Sequence, residues 1–109
     1  MNQRVVEYNI GDIALDSDAI SERLNKACTG RSQKYYVRGA MQIDETVYFI
    51  LIEKPLHRDI EEYVLAPLDD ISSEGLEGVL SQRWGAGFDA IAAINLGESS
   101  YIGLFAKSP

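Results

Sequence analysis

The 109-residue chain reads as an α+β domain of two pseudo-symmetric β-α-β-β repeats, an antiparallel sheet carrying two helices on one face. Three observations predict this. Residues 4–55 and 60–109 carry the same order of apolar, polar and turn signals, offset by about 55 residues, a period worth reading as a duplicated unit. Within each half, two-residue alternation gives way to helical spacing and returns to strand. Each half is also too short to bury a sizeable core alone, so the two must pack together as a single domain. Pairs that carry the correspondence are Glu7-Tyr8 with Glu62-Tyr63, Ile20, Leu24 and Cys28 with Leu76, Leu80 and Trp84, and Lys54 with Lys107.

Val5 to Ile10 alternates, with Val6, Tyr8 and Ile10 on one face and Glu7 and Asn9 on the other, as a half-buried strand does. Asp16, Ser17 and Asp18 supply short acceptors and negative charge for a helix start. Ile20, Leu24 and Cys28 then form its apolar stripe, and Gly30 is its expected stop. Tyr35 to Ile43 and Thr46 to Glu53 are strands around the polar break Asp44-Glu45. The second is apolar on both faces, which predicts a central strand. Lys54 to Asp59, with Pro55, His57 and Arg58, is a connector. The second half repeats the plan with Glu62 to Leu68, a helix over Ser73 to Trp84, and a hairpin of Phe88 to Leu96 and Ser100 to Lys107 around Gly97 and Glu98. Pro67 predicts that its strand ends there or lies on an edge. Gly75 and Gly78 lower helix propensity and suggest a close approach to the small residues Ala90, Ala92 and Ala93.

From Leu76 and Leu80, through Gly87-Phe88-Asp89-Ala90-Ile91, to the strand Tyr101 to Lys107, the second half resembles a family of short uncharacterised bacterial strand-helix-hairpin domains. Their pattern is a helix with paired leucines, then Gly-Trp-Glu and a terminal hairpin. Here Phe88 stands for the Trp and Asp89 for the Glu, and the first half lacks the triplet. The resemblance covers about the last forty residues and implies a small α+β unit with no assigned chemistry.

Composition narrows the function classes. The net charge of −7 argues against a nucleic-acid partner, since phosphate neutralisation needs a basic face. The excess acid lies in the second half, where three Lys/Arg face nine Asp/Glu, against seven and eight in residues 1–55. No apolar run is long enough for a membrane helix, and one cysteine with no sequon predicts a cytoplasmic setting. One Cys and one His give no metal set, so neither metal nor cofactor is expected. Cys28 is expected as a core residue and His57 as a surface loop residue. Asp16 and Asp18, like Asp69 and Asp70, read as helix-start residues. Gly85-Ala86-Gly87 follows a helix, the wrong end for an anion cradle, and reads as a stop.

The best candidate binding surface is Arg31, Lys34, Tyr36 and Arg38, with Lys26, Tyr35 and Gln42 nearby; Tyr36, Arg38 and Gln42 are expected on one strand face. An acidic protein or an anionic small molecule would fit there. Strands apolar on both sides also predict an outer apolar face, with Tyr48, Ile50, Ile52 and Tyr101 at the interface of a homodimer. No catalytic pair is identifiable. The expected function is therefore a non-enzymatic protein-interaction or assembly module, the alternative being a small-molecule or anion-binding regulatory domain on the basic strand.

Overall fold

In the computed structural model, which describes residues 3–29, 33–54 and 60–108, each half forms a three-stranded antiparallel sheet. The first half runs β1 (Gln3–Asn9), α1 (Ile10–Leu15), α2 (Ser17–Cys28), β2 (Tyr35–Ile43) and β3 (Thr46–Glu53); the second runs β4 (Glu62–Leu68), α3 (Ser73–Gly85), β5 (Phe88–Gly97) and β6 (Ser100–Lys107). The strand orders match, β1-β3-β2 in sheet A and β4-β6-β5 in sheet B, with the doubly apolar strand central in each. The α+β class and the two β-α-β-β-like halves are as expected, with two differences. The strands form two separate sheets, and a short extra helix stands before α2.

That extra helix arises because two side chains cap in succession. Asn9 accepts from the Gly11 N–H at 2.8 Å and starts α1 where the first strand was expected to continue through Ile10. Asp16 ends α1 and starts α2 by accepting from the Ala19 N–H at 3.1 Å. In the second half the cap is Ser72, which accepts from the Gly75 N–H, while Asp70 accepts from both the N–H and hydroxyl of Ser72. The stop at Gly85-Ala86-Gly87 is as expected: the Gly87 N–H returns to the Trp84 carbonyl, and Gly87 has a φ of 92°.

The hairpins carry the clearest mark of repetition. Asp44 and Glu98, 54 positions apart, both turn with positive φ, and both leading strands carry a bulge, between Val37 and Gly39 and between Ala90 and Ala92. The first strands fit that equivalence differently. Tyr8 pairs with Val47 and Leu68 with Tyr101, so Leu68 rather than Tyr63 is the counterpart of Tyr8. The Glu7-Tyr8 and Glu62-Tyr63 match is therefore one of sequence only.

One core joins the halves. Val37, Val47, Phe49 and Leu51 of sheet A, Ile13, Ile20, Leu24 and Cys28 of the helices, and Tyr63, Leu65, Ile94, Ile102, Leu104 and Ala106 of sheet B are all buried in it. Helix α3 lies across the other face of sheet B, where Arg83 stacks over the Phe105 ring at 5.3 Å. By the hairpin equivalence, Gly103 and Phe105 correspond to Phe49 and Leu51, so α2 and α3 cover equivalent faces. Among the described residues, elements thus cover sheet B on both faces and sheet A on one.

Candidate functional site

The basic strand is partly committed to local contacts. Lys34 makes an ion pair with Glu53 at 3.0 Å, and it and Arg4 both stand over the Tyr35 ring, at 5.8 and 5.6 Å. The hydrogen bond and charge of Glu53 hold the Lys34 ammonium above the usual lysine range. Arg38 is exposed at the β2 bulge, and Tyr36 is half-buried. The bulge corrects one expectation. It inserts a residue between Tyr36 and Gln42, so Tyr36 opposite Ile52 and Gln42 opposite Val47 lie on opposite faces. Arg31 and His57, like most of the 54–59 connector, lie outside the described residues.

The apolar positions divide. Ile52 is buried, while Tyr48 and Ile50 are half-buried on the outer face of sheet A, beside exposed Val5, Met41 and Ile43. Tyr101 sits on the α3-covered face of sheet B, so the chain itself partly closes the surface assigned to it. Neither Gly75 nor Gly78 approaches a strand: a Cβ at Gly75 would meet the Asp70 side chain, and one at Gly78 would meet nothing. Gly103 on β6 provides the close approach instead, against Phe105 and Leu68.

The feature that sequence reasoning missed is how strand edges are closed. In β4, Asn25 of α2 acts as a substitute strand. Its amide donates to the Tyr63 carbonyl at 3.0 Å and accepts from the Tyr63 N–H, and Ser21 accepts from the Leu65 N–H at 3.0 Å. Pro67 has the same parity as Tyr63 and Leu65, so its missing N–H falls on the edge side, as expected of an edge proline. On β5, Gln42 grips Asn95 through the same paired amide contacts, and on β2 the Val37 N–H donates to the Tyr63 hydroxyl at 2.8 Å. Three edges out of four are thereby engaged. Ser21 and Asn25 stand at helical spacing beside the stripe of Ile20, Leu24 and Cys28, which places them at the margin of the apolar face but does not show what they bind.

Among the described residues, nothing closes the fourth edge, β1. Ile10 donates to the Glu45 carbonyl, just beyond the Asn9–Thr46 pair, so Tyr8, Val6 and Arg4 bond to β3 while the amides of Glu7, Val5 and Gln3 face away. Among the described residues none of these outward amides has a partner. Helix α3 is unsatisfied in a matching way. It buries no side chain fully, whereas α2 buries four; Leu80 is 44% and Trp84 67% exposed, while their counterparts Leu24 and Cys28 are 2% and 0% exposed. Leu80, Ser81, Trp84, Phe88, Asp89 and Ala90 line a hollow of about 470 Å³ along this helix.

Cys28 is a buried core residue whose thiol is pushed up by burial, an effect that the Lys54 charge partly opposes. Among the described residues no three His, Cys, Asp or Glu side chains converge on a metal position, and no helix is long and apolar enough to cross a membrane. The chain matches no family model, no curated protein and no solved structure.

Proposed function

We propose that this protein is a non-enzymatic assembly module that works by associating with a second copy of itself. The observation that carries the reading is the contrast between the two helices. Helix α2 is seated in the core and along a strand edge, whereas its counterpart α3 leaves Leu80 and Trp84 in water beside an open hollow. A large aromatic at a helix flank, next to a concave apolar surface, is the composition of an interface centre. The buried free thiol fits a reducing, cytoplasmic setting. The anion-binding alternative is less favoured, since Lys34 is held by Glu53 and Tyr35.

Trp84 is the single tryptophan, so its emission reports this surface directly. Sedimentation of the full chain over micromolar concentrations should give a mass rising above 12.1 kDa, with a blue shift of Trp84 emission over the same range. A 12.1 kDa species with unshifted emission throughout overturns the reading.

A further inference from the structure

We infer that the surface occupied by α3 is the open β1 edge of a second copy, so that the internal contact between α2 and β4 is repeated between molecules. The inference rests on the assembly reading and names its two halves. Inside the molecule, Ser21 and Asn25 bind the outward groups of Leu65 and Tyr63, while Leu24 and Cys28 of the same helix are buried in the core that Tyr63, Leu65 and Leu104 of sheet B share. At the helix offset that aligns Leu24 with Leu80, the counterparts of Ser21, Asn25 and Cys28 are Glu77, Ser81 and Trp84. By strand register, the counterparts of Tyr63 and Leu65 are Gln3 and Val5, and the counterpart of Leu104 is Ile50.

Each half of this second contact is present and unpaired. The Val5 amide faces outward, as the Leu65 amide does, and the Val5 side chain is 61% exposed beside Ile50. Glu77 and Ser81 offer oxygens on the exposed side of α3, and Leu80 and Trp84 offer apolar surface for Val5 and Ile50. Charge agrees: Asp89 lines the hollow and Glu77 is exposed on α3, one turn before Ser81, while Arg4 stands exposed on β1. The two surfaces differ, so one such contact leaves an open β1 edge on one copy and an exposed α3 on the other.

A mixing experiment tests this. Val5→Glu keeps every backbone group and sets a carboxylate against Glu77 and Asp89, while Trp84→Ala removes the anchor from the helix side; both positions are exposed, so both variants should fold. Each alone should lose self-association by at least about tenfold. Mixed in equal amounts they should associate again and stop at a heterodimer, because one intact pair of surfaces remains. Val5→Pro, which deletes one outward amide as Pro67 does in β4, should behave like Val5→Glu. Failure of the mixture to associate, or retained association by Trp84→Ala alone, overturns the inference and leaves assembly to a symmetric contact through sheet A. A wild-type chain that never associates overturns the assembly reading with it.

Discussion

Asn25→Ala isolates the capping of β4 because its predicted sign opposes that of helix propensity. Alanine is the better helix former by about 0.6 kcal/mol, so an Asn25 with no tertiary role would stabilise the chain when replaced. In the structure its amide bonds to both the N–H and carbonyl of Tyr63, a residue with no exposed surface, and the truncation leaves two backbone groups without that partner. At about 1 kcal/mol for each partly buried group, the loss is about 2 kcal/mol, and subtracting the propensity gain leaves a net destabilisation of about 1.5 kcal/mol. For a chain of this size that corresponds to roughly 7 °C in Tm. Urea unfolding followed by circular dichroism should therefore show a lower midpoint with an unchanged slope. An unchanged or raised midpoint would refute the account of α2 as a substitute strand.

Gly103→Ala should destabilise by about 1–3 kcal/mol, because its Cβ would lie 2.8 Å from the ring of Phe105, itself buried under Arg83; thermal melting checks it, and an unchanged Tm would mean the ring moves freely. Cys28 should resist a thiol-specific reagent in the native state and react only as the chain opens, since burial both shields the sulfur and disfavours the thiolate; rapid stoichiometric labelling without denaturant would contradict its place in the core. The Asp70 carboxyl, held below its usual value of 3.8 by hydrogen bonds from Ser72, contributes stability that is present above 3.8 and lost as pH falls through the lowered value. Ser72→Ala should return its titration, followed by NMR, toward 3.8 and remove the α3 cap at about 1 kcal/mol; a titration that stays low would assign the shift to another cause.

What the chain determines locally was legible from its residues. Alternation located both hairpins and their turns at Asp44 and Glu98, the doubly apolar runs Val47 to Ile52 and Tyr101 to Ala106 marked the central strands, and Pro67 marked an edge. These features follow from backbone conformation and from which faces are dry, and both are written in nearest-neighbour pattern. Tertiary structure decided the rest. Whether six strands make one sheet or two depends on which edges are closed, and here the amides of Asn25 and Gln42 close two of them from positions far along the chain. A polar side chain on a helix or strand has no periodicity that distinguishes capping from solvation. The two helices, by contrast, already differ in sequence: the apolar stripe of α2 is uninterrupted, whereas Arg83 falls within the stripe of Leu76, Val79, Leu80 and Trp84 and leaves α3 with almost no amphipathic bias. Burial itself is a property of the space between elements, and packing settles that Leu24 and Cys28 are seated in the core while Leu80 and Trp84 stay exposed.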